Sequence, residues 1–260
     1  MLVPIILPYK LDSESALQLK KSLNTKLVKV NGVYKYKSNH LIINLGNSHS
    51  PIWRTQDTKW INKPENVAIG VNKLKTFNKL KEGNACIPFF STDKKDAIDW
   101  LKDGYKVVCR ELLTASQGRG IVIATKESEL SPNTKLYVRY FPKKFEYRVH
   151  LVKNGDNITI FDFVQKKKRA DIDNDKVDYQ IRNHDNGWVF ARDNVKLPTC
   201  VKNESIKAMK LMDLDLASVD VCFSQKNNQC VILEFNTASG LEGQSITNYI
   251  NEILFLCNTM

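Results

Sequence analysis

From Leu216 to Gly243 the chain reads LASVDVCFSQKNNQCVILEFNTASGLEG, and this stretch constrains the fold more than any other. Two apolar runs flank the polar segment SQKNNQ, the pattern of a β-hairpin. Each run carries one acid, Asp220 and Glu234, and Asn236 follows two residues later. Residues two apart on a strand share a face. Asp220 joins that face if the connecting loop holds an odd number of residues; a three-residue loop over 226–228 sets it opposite Glu234. Two carboxylates and an amide oxygen on one face make a hard-oxygen site, the donor set that suits Mg²⁺ shared with water and nucleotide phosphates. Either carboxylate alone fits a solvated sheet face paired with Lys or Arg. The three together, ahead of the small residues of TASGLEG, point to a metal at a cleft floor.

The rest of the chain alternates strand and helix patterns. VPIIL (3–7), KLVKV (26–30) and HLIINLGNS (40–48) read as strands, with a helix starting at Ser13, so residues 1–62 form a small α/β unit. SPIWRTQDTKWINKPEN reads as a linker. NKLKTFNKLKEGN is an amphipathic helix with Leu74, Phe77 and Leu80 on one face. STDKKDAIDWLKDG is a second helix, capped by Ser91 or Thr92. YKVVCRELL and IVIAT are strands about the turn TASQGRG, and KLYVRYF (135–141) is another. EYRVHLV and the run ending in KKKR form a hairpin turned at Asn154-Gly155. A polar loop over 170–187, a helix through CVKNESIKAMKLMDL and a last helix through SITNYINEILFLC complete the pattern.

A chain of 260 residues with 42% apolar content can bury a sizeable core. No apolar run is long enough to cross a membrane, and the apolar N-terminus reads as a first strand. Cys86, Cys109, Cys200, Cys222, Cys230 and Cys257 form no CxxC pair and read as reduced thiols of a cytoplasmic protein. His40, His49, His150 and His184 lack metal or triad spacing. The net charge of +11 attracts anions, which include nucleotides, acidic substrates and nucleic acid. No helix-turn-helix, zinc-finger or RNA-recognition signature accompanies it.

In TASQGRG, Gly118 and Gly120 allow a tight turn whose backbone N–H groups can cover phosphates. The Lys-Ser/Thr of a P-loop is missing, which disfavours a Walker-type NTPase. In EYRVHLV, alternation places Glu146, Arg148 and His150 on one face and Tyr147, Val149 and Leu151 on the other. The polar face suits a cleft; an ion pair of Arg148 with Glu146 or Asp162 is the bland alternative. The run KKKR at 166–169 reads as a solvated strand end.

MDLDLASVDVCFSQKNNQCVILEFNTASGLEG resembles the C-terminal pattern of the ATP-grasp ligases, most of all the ribosomal-protein glutamate ligase branch. Upstream, Asn72-Lys73, GNACIPFF, YKVVCRELLTASQGRGIVIA, EYRVHLV and QIRNHDNGW resemble further family segments, so the likeness spans roughly 67–245. It implies an α+β ATP-grasp fold, two α+β subdomains clasping ATP, preceded by a small α/β domain. The corresponding boundaries are 1–62, 63–134 and 135–260. The resemblance implies ATP with Mg²⁺ or Mn²⁺, and metal ligation by Asp220, Glu234 and Asn236. It places Lys73, Gln117, Gly118 and Gly120 at the phosphates and Tyr137 and Arg139 in the adenine hinge. The family's phosphate-facing Lys falls at Arg110 or Glu111; Arg110 is chosen because phosphates need a cation. Arg148, Arg182 and Asn183 would act on the transferring group. The implied activity joins a carboxylate to an amine through an acyl phosphate. The alternatives are a phosphotransferase on the same nucleotide site and a basic nucleic-acid-binding or structural protein that keeps the fold without turnover.

Overall fold

The computed structural model describes residues 1–115 and 118–260. Three sheets organise it. The first is parallel, ordered β1 (Val3–Pro8), β2 (His40–Leu45) and β3 (Lys59–Ile61). β2 is buried at every position, as expected of a parallel strand covered on both faces. Ile6, Leu41 and Ile43 pack against Leu19 of α1 (Glu14–Ser22) and Ile253 and Leu256 of α6 (Gln244–Thr259). Trp53 and Trp60 cover the opposite face with Ile5, Leu7 and Ile42. Two expectations fail here. KLVKV contributes only a single bridge, Leu27 to Ile6. The supposed linker holds β3, and α2 (Pro64–Gly70) starts directly after it; three strand residues between polar neighbours are too short to show alternation.

The second sheet is antiparallel, ordered β4 (Phe90–Ser91), β7 (Leu136–Arg139), β5 (Val107–Arg110) and β6 (Ile121–Ala124). α4 (Lys94–Lys102) buries Ala97 against Val107 and Cys109. Its cap is Asp93, whose carboxylate accepts from Lys95 N at 2.8 Å. Ser91 instead accepts from the Asp93 N–H and donates to Asp96. Phe77 of α3 (Lys73–Glu82) packs with Leu136 and Val138.

The third sheet is antiparallel, ordered β10 (Trp188–Ala191), β9 (Asn157–Lys168), β8 (Phe145–Asn154), β11 (Leu216–Ser224) and β12 (Gln229–Asn236). Tyr147, Val149, Val219, Val221 and Ile232 join Met209 and Met212 of α5 (Thr199–Met212) in the largest core. The intervening residues point to the other face, where a cavity of about 900 Å³ opens between this sheet and the second one.

Packing crosses the boundaries set at 63 and 135. Val67 of α2 and Leu80 of α3 belong to the core of the five-stranded sheet, and α6 closes on the N-terminal sheet. Asn62 fastens the units. Its Oδ1 accepts from Asp215 N and Leu216 N at 2.8 and 3.1 Å, and its Nδ2 donates to Leu216 O at 2.6 Å.

Candidate active site

Glu234 owes its position to a β-bulge. The turn between β11 and β12 spans four residues, since Ser224 pairs with Gln229. An even-numbered turn would set Asp220 opposite Leu233 and turn Glu234 away. The register shifts once between Asp220 and Val221, leaving Leu233 out of the pairing, so Asp220 faces Glu234 and Ser218 faces Asn236. The three-residue turn expected over 226–228 is therefore replaced by a four-residue turn and a bulge that together restore the same face.

Arg148 continues this row, pairing with Asp220 across β8 and β11. Its Nε donates to Oδ1 at 2.7 Å and its Nη2 to Oδ2 at 2.8 Å. The expected bland partners, Glu146 and Asp162, are both engaged elsewhere. Burial pushes the Asp220 carboxyl up, but the charge and hydrogen bonds of Arg148 hold it below the ordinary carboxylate range. At the other end of the row, Lys73 Nζ lies 3.0 Å from Glu234 Oε2. Lys73 opens α3, which Asn72 caps by accepting from Lys75 N.

Arg110 lines the cavity, whereas Glu111 turns away to accept from Ser131. Burial opposes the Arg110 charge and Glu234 partly restores it. The Arg110 Nε is buried without a hydrogen-bond partner, a donor ready for an anion. Gly118 and Arg119 also line the cavity. Gly118 has φ +78°, and a Cβ there would come within 3.0 Å of Ile181 and 3.5 Å of Asn183. The loop thus closes onto the 178–186 segment because residue 118 lacks a side chain. Gly120 sits behind it, its carbonyl accepting from Glu111 N. Gln117 lies outside the described residues.

Tyr137 does not face the cavity. Its side chain packs with Ala97 and Val107, and its backbone lies between β4 and β5. The apolar wall is supplied by Phe77, Ile123, Val138 and Phe141. Arg139 stands at the rim, stacked between Phe89 and Tyr105 at 3.8 and 4.3 Å.

Arg182 is spent on structure. Its guanidinium donates to the carbonyls of Lys143, Lys144 and Tyr179 and stacks on Trp188. Asn183 accepts from Asn186 N at 2.8 Å and lines the cavity. Arg182 braces the loop that presents Asn183, and it also lines the cavity.

Three further cations that line the cavity, Lys143, Lys166 and Arg192, were missed in the sequence. Lys166 and Lys143 both bind Glu146, at 2.5 and 2.8 Å. Burial pushes Glu146 up, and the two lysines more than reverse it. Arg192 pairs with Asp162 and with Ser245. The KKKR run is split by strand alternation. Lys166 turns inward with Asp162 and Val164, while Lys167 reaches outward to Asp193 O. Parity with Arg148 across the hairpin was the available signal.

The donor set fits a hard cation. Asn236 Nδ2 is buried without a partner, and turning the amide over would present its oxygen at no cost in packing. Arg148 uses one lone pair on each Asp220 oxygen and leaves others. Among the described residues, no three His, Cys, Asp or Glu side chains converge. The site offers two carboxylates and an amide, a partial shell of the kind that Mg²⁺ completes with phosphate and water.

A Gly-bearing loop on a four-stranded antiparallel sheet, closing over an acid-bearing five-stranded sheet, is the ATP-grasp fold. The chain is similar over almost its whole length to three solved enzymes of that fold. D-alanyl-alanine synthetase A from Vibrio cholerae gives a TM-score of 0.67 at 15% identity, covering 99% of this chain and 98% of the other. N5-carboxyaminoimidazole synthetase from Staphylococcus aureus, complexed with ADP, gives 0.69 at 12% identity, covering 99% and 78%. The ATP-grasp ligase PsnB, complexed with a phosphomimetic variant of a minimal precursor, Mg and ADP, gives 0.68 at 9% identity, covering 98% and 99%. No protein-family model matches the sequence and no curated protein matches it. At such identities the likeness defines the fold; the ribosomal-protein glutamate ligase resemblance rests on the quoted motif alone.

Proposed function

We propose that the protein is an ATP-dependent ligase that joins a carboxylate to an amine through an acyl phosphate. The observation that carries this reading is the row Arg148, Asp220, Glu234 and Lys73, two adjacent acids flanked by two cations, of which Arg148, Asp220 and Glu234 line the cavity floor. The acids would suit a divalent ion, and the cations would suit phosphates. Mg²⁺, when bound, would neutralise phosphate charge and polarise the transferred group.

The residues divide the work. Lys73, Arg110 and the backbone at Gly118 hold phosphates, and the wall of Phe77, Val138 and Phe141 receives the base. Arg148 stays on Asp220 and faces the γ-phosphate. A substrate carboxylate oxygen bonds to the γ-phosphorus as the bond to the ADP oxygen breaks. The amine then bonds to the acyl carbon, phosphate leaves, and the amine loses its proton. No protein nucleophile is required; positioning and charge neutralisation suffice.

The ATP-grasp resemblance and the three similar enzymes support this reading. No helix among the described residues is long and apolar enough to cross a membrane. The test is incubation with Mg·ATP and pooled amino acids and peptides, read by mass spectrometry. Amine-dependent ADP release with a condensed product is expected. A phosphorylated product without amine dependence indicates a phosphotransferase. Salt-sensitive nucleic-acid binding without turnover indicates a binding protein.

A further inference from the structure

β10 is an outer strand of the five-stranded sheet, and one side of its backbone is unpaired. Arg169 N donates to Gly187 O at 2.9 Å, so these residues form a hydrogen-bonded pair just before the strand. Alternation along an antiparallel ladder then commits Val189 and Ala191 to Lys167 and Gln165 of β9, and turns the backbone groups of Trp188 and Phe190 outward. Trp188 N already donates to Asn183 O at 3.0 Å. Among the described residues, Phe190 N, Phe190 O and Trp188 O meet no partner. Edge strands are ordinarily blunted by a charge, a proline or a bulge. Trp-Val-Phe-Ala has no charge and no proline, and its register to β9 runs without a shift. The opposite edge of the sheet is covered, since Ile232 N of β12 donates to Cys86 O at 2.8 Å.

This free edge borders the cavity. Val189 and Phe190 are exposed and line it. The Phe190 ring lies 4.4 Å from the Arg148 guanidinium and 5.5 Å from the Lys166 ammonium. The Trp188 ring carries the Arg182 guanidinium at 4.3 Å. Five cations, Lys143, Arg148, Lys166, Arg182 and Arg192, line the cavity here. The acids bonded to them are three, Glu146, Asp162 and Asp220. The surplus is positive, and it favours an anionic group beside Phe190.

We propose that the free edge of β10 receives an extended, acid-bearing peptide by strand addition, and that a side-chain carboxylate of this peptide is the one the reaction activates. The inference rests on the ligase reading above. A strand added to β10 lies about 4.8 Å beyond it and takes its backbone bonds from Phe190 and Trp188. Its cavity-facing side chains then lie beside Phe190, on the side where Arg148 is held over the ring. A free amino acid has no backbone run to satisfy this edge, and nucleic acid has no strand to add. Main-chain pairing supplies affinity, and the surplus cations select acids at alternate positions.

The test is fluorescence anisotropy with a labelled octapeptide of alternating Glu and Val, read without nucleotide. A peptide with Gln in place of Glu is expected to bind at least about tenfold more weakly. Two further peptides carry N-methyl groups, one on every Glu and the other on every Val. Alternate amides of a strand point to alternate sides, so only one of these peptides loses its bonds to β10: the Glu series if the strands run antiparallel, the Val series if they run parallel. That peptide is expected to bind at least about tenfold more weakly than the unmethylated one, and the other to stay within about threefold. Phe190→Pro removes the outward N–H and spares the β9 ladder, a change that edge strands tolerate. It is expected to bind the peptide about tenfold more weakly than Phe190→Leu, which keeps the N–H. The methylated peptides test the native protein even if Phe190→Pro does not fold. Stabilisation by Mg·ATP is measured in parallel, which separates failure of docking from failure of the nucleotide reading. Four results would overturn the proposal: no binding, equal binding of the Gln peptide, equal effects of the two methylation patterns, or equal binding by folded Phe190→Pro and Phe190→Leu.

Discussion

Arg148 grips Asp220 through two parallel hydrogen bonds, 2.7 and 2.8 Å long, on a floor where both side chains are largely shielded from water. Removing one partner strands the other charge. Arg148→Ala is expected to cost about 3–5 kcal/mol in urea unfolding, most of it the penalty of the uncompensated Asp220. Replacing both, as Arg148→Met with Asp220→Leu, is expected to cost less than the sum of the single changes. Additive losses in that double-mutant cycle would show that the pair is not coupled.

His150 gives the site a pH signature. Burial, followed by the charge of Arg148, pushes its pKa down to about 4. The unfolded chain takes up this proton near pH 6.5, the folded protein only near pH 4. Between these values the unfolded state binds more protons, so stability falls as pH drops through the window and levels off below it. The drop attributable to His150 is about 3 kcal/mol. Denaturant midpoints measured from pH 7 to pH 4 are expected to decline steeply in the native sequence and less so in His150→Gln. Parallel curves would refute the assignment.

Asn62 ties the N-terminal sheet to β11 with φ at +64° and three side-chain hydrogen bonds to Asp215 and Leu216. Asn62→Ala leaves buried backbone groups without partners and is expected to cost about 3 kcal/mol. A change below about 0.5 kcal/mol in the urea midpoint analysis would show that water replaces these bonds.

The legible parts of the sequence were those with strong local patterns. Asp220, Glu234 and Asn236 could be placed on one face because strand parity is a property of a few neighbouring residues. The means by which they got there could not be read: the four-residue turn gives the wrong parity, and only the bulge at Leu233 restores it. Arg182 looked functional by its neighbours in the chain. Its guanidinium is committed to carbonyls of Lys143 and Lys144, nearly forty residues away. Lys166 was hidden in a basic run whose members take opposite faces. β3 was lost because its partner β2 is distant in sequence and its own three residues carry little pattern.

Arg182→Ala follows from the same contacts. It frees the Lys143 and Lys144 carbonyls and uncovers Trp188, with an expected stability cost of about 2 kcal/mol. Affinity for Mg·ATP is expected to change less than about tenfold, a smaller effect than loss of a direct phosphate contact. A large loss of nucleotide affinity with unchanged stability, measured by calorimetry and urea unfolding, would return Arg182 to the transferring group.

Calorimetric titration of ATP, with Mg²⁺ present and with it chelated, addresses the pairing of Lys73 with Glu234, whose charged atoms lie 3.0 Å apart. If the acids hold a metal and the cations hold phosphates, chelation should weaken ATP binding to the native protein by about 100-fold. Glu234→Gln removes one carboxylate and releases Lys73, so its ATP affinity should become nearly independent of Mg²⁺ while metal-free binding is retained or strengthened. Unchanged dependence on Mg²⁺ in Glu234→Gln, or no ATP binding by the native chain, would contradict the account.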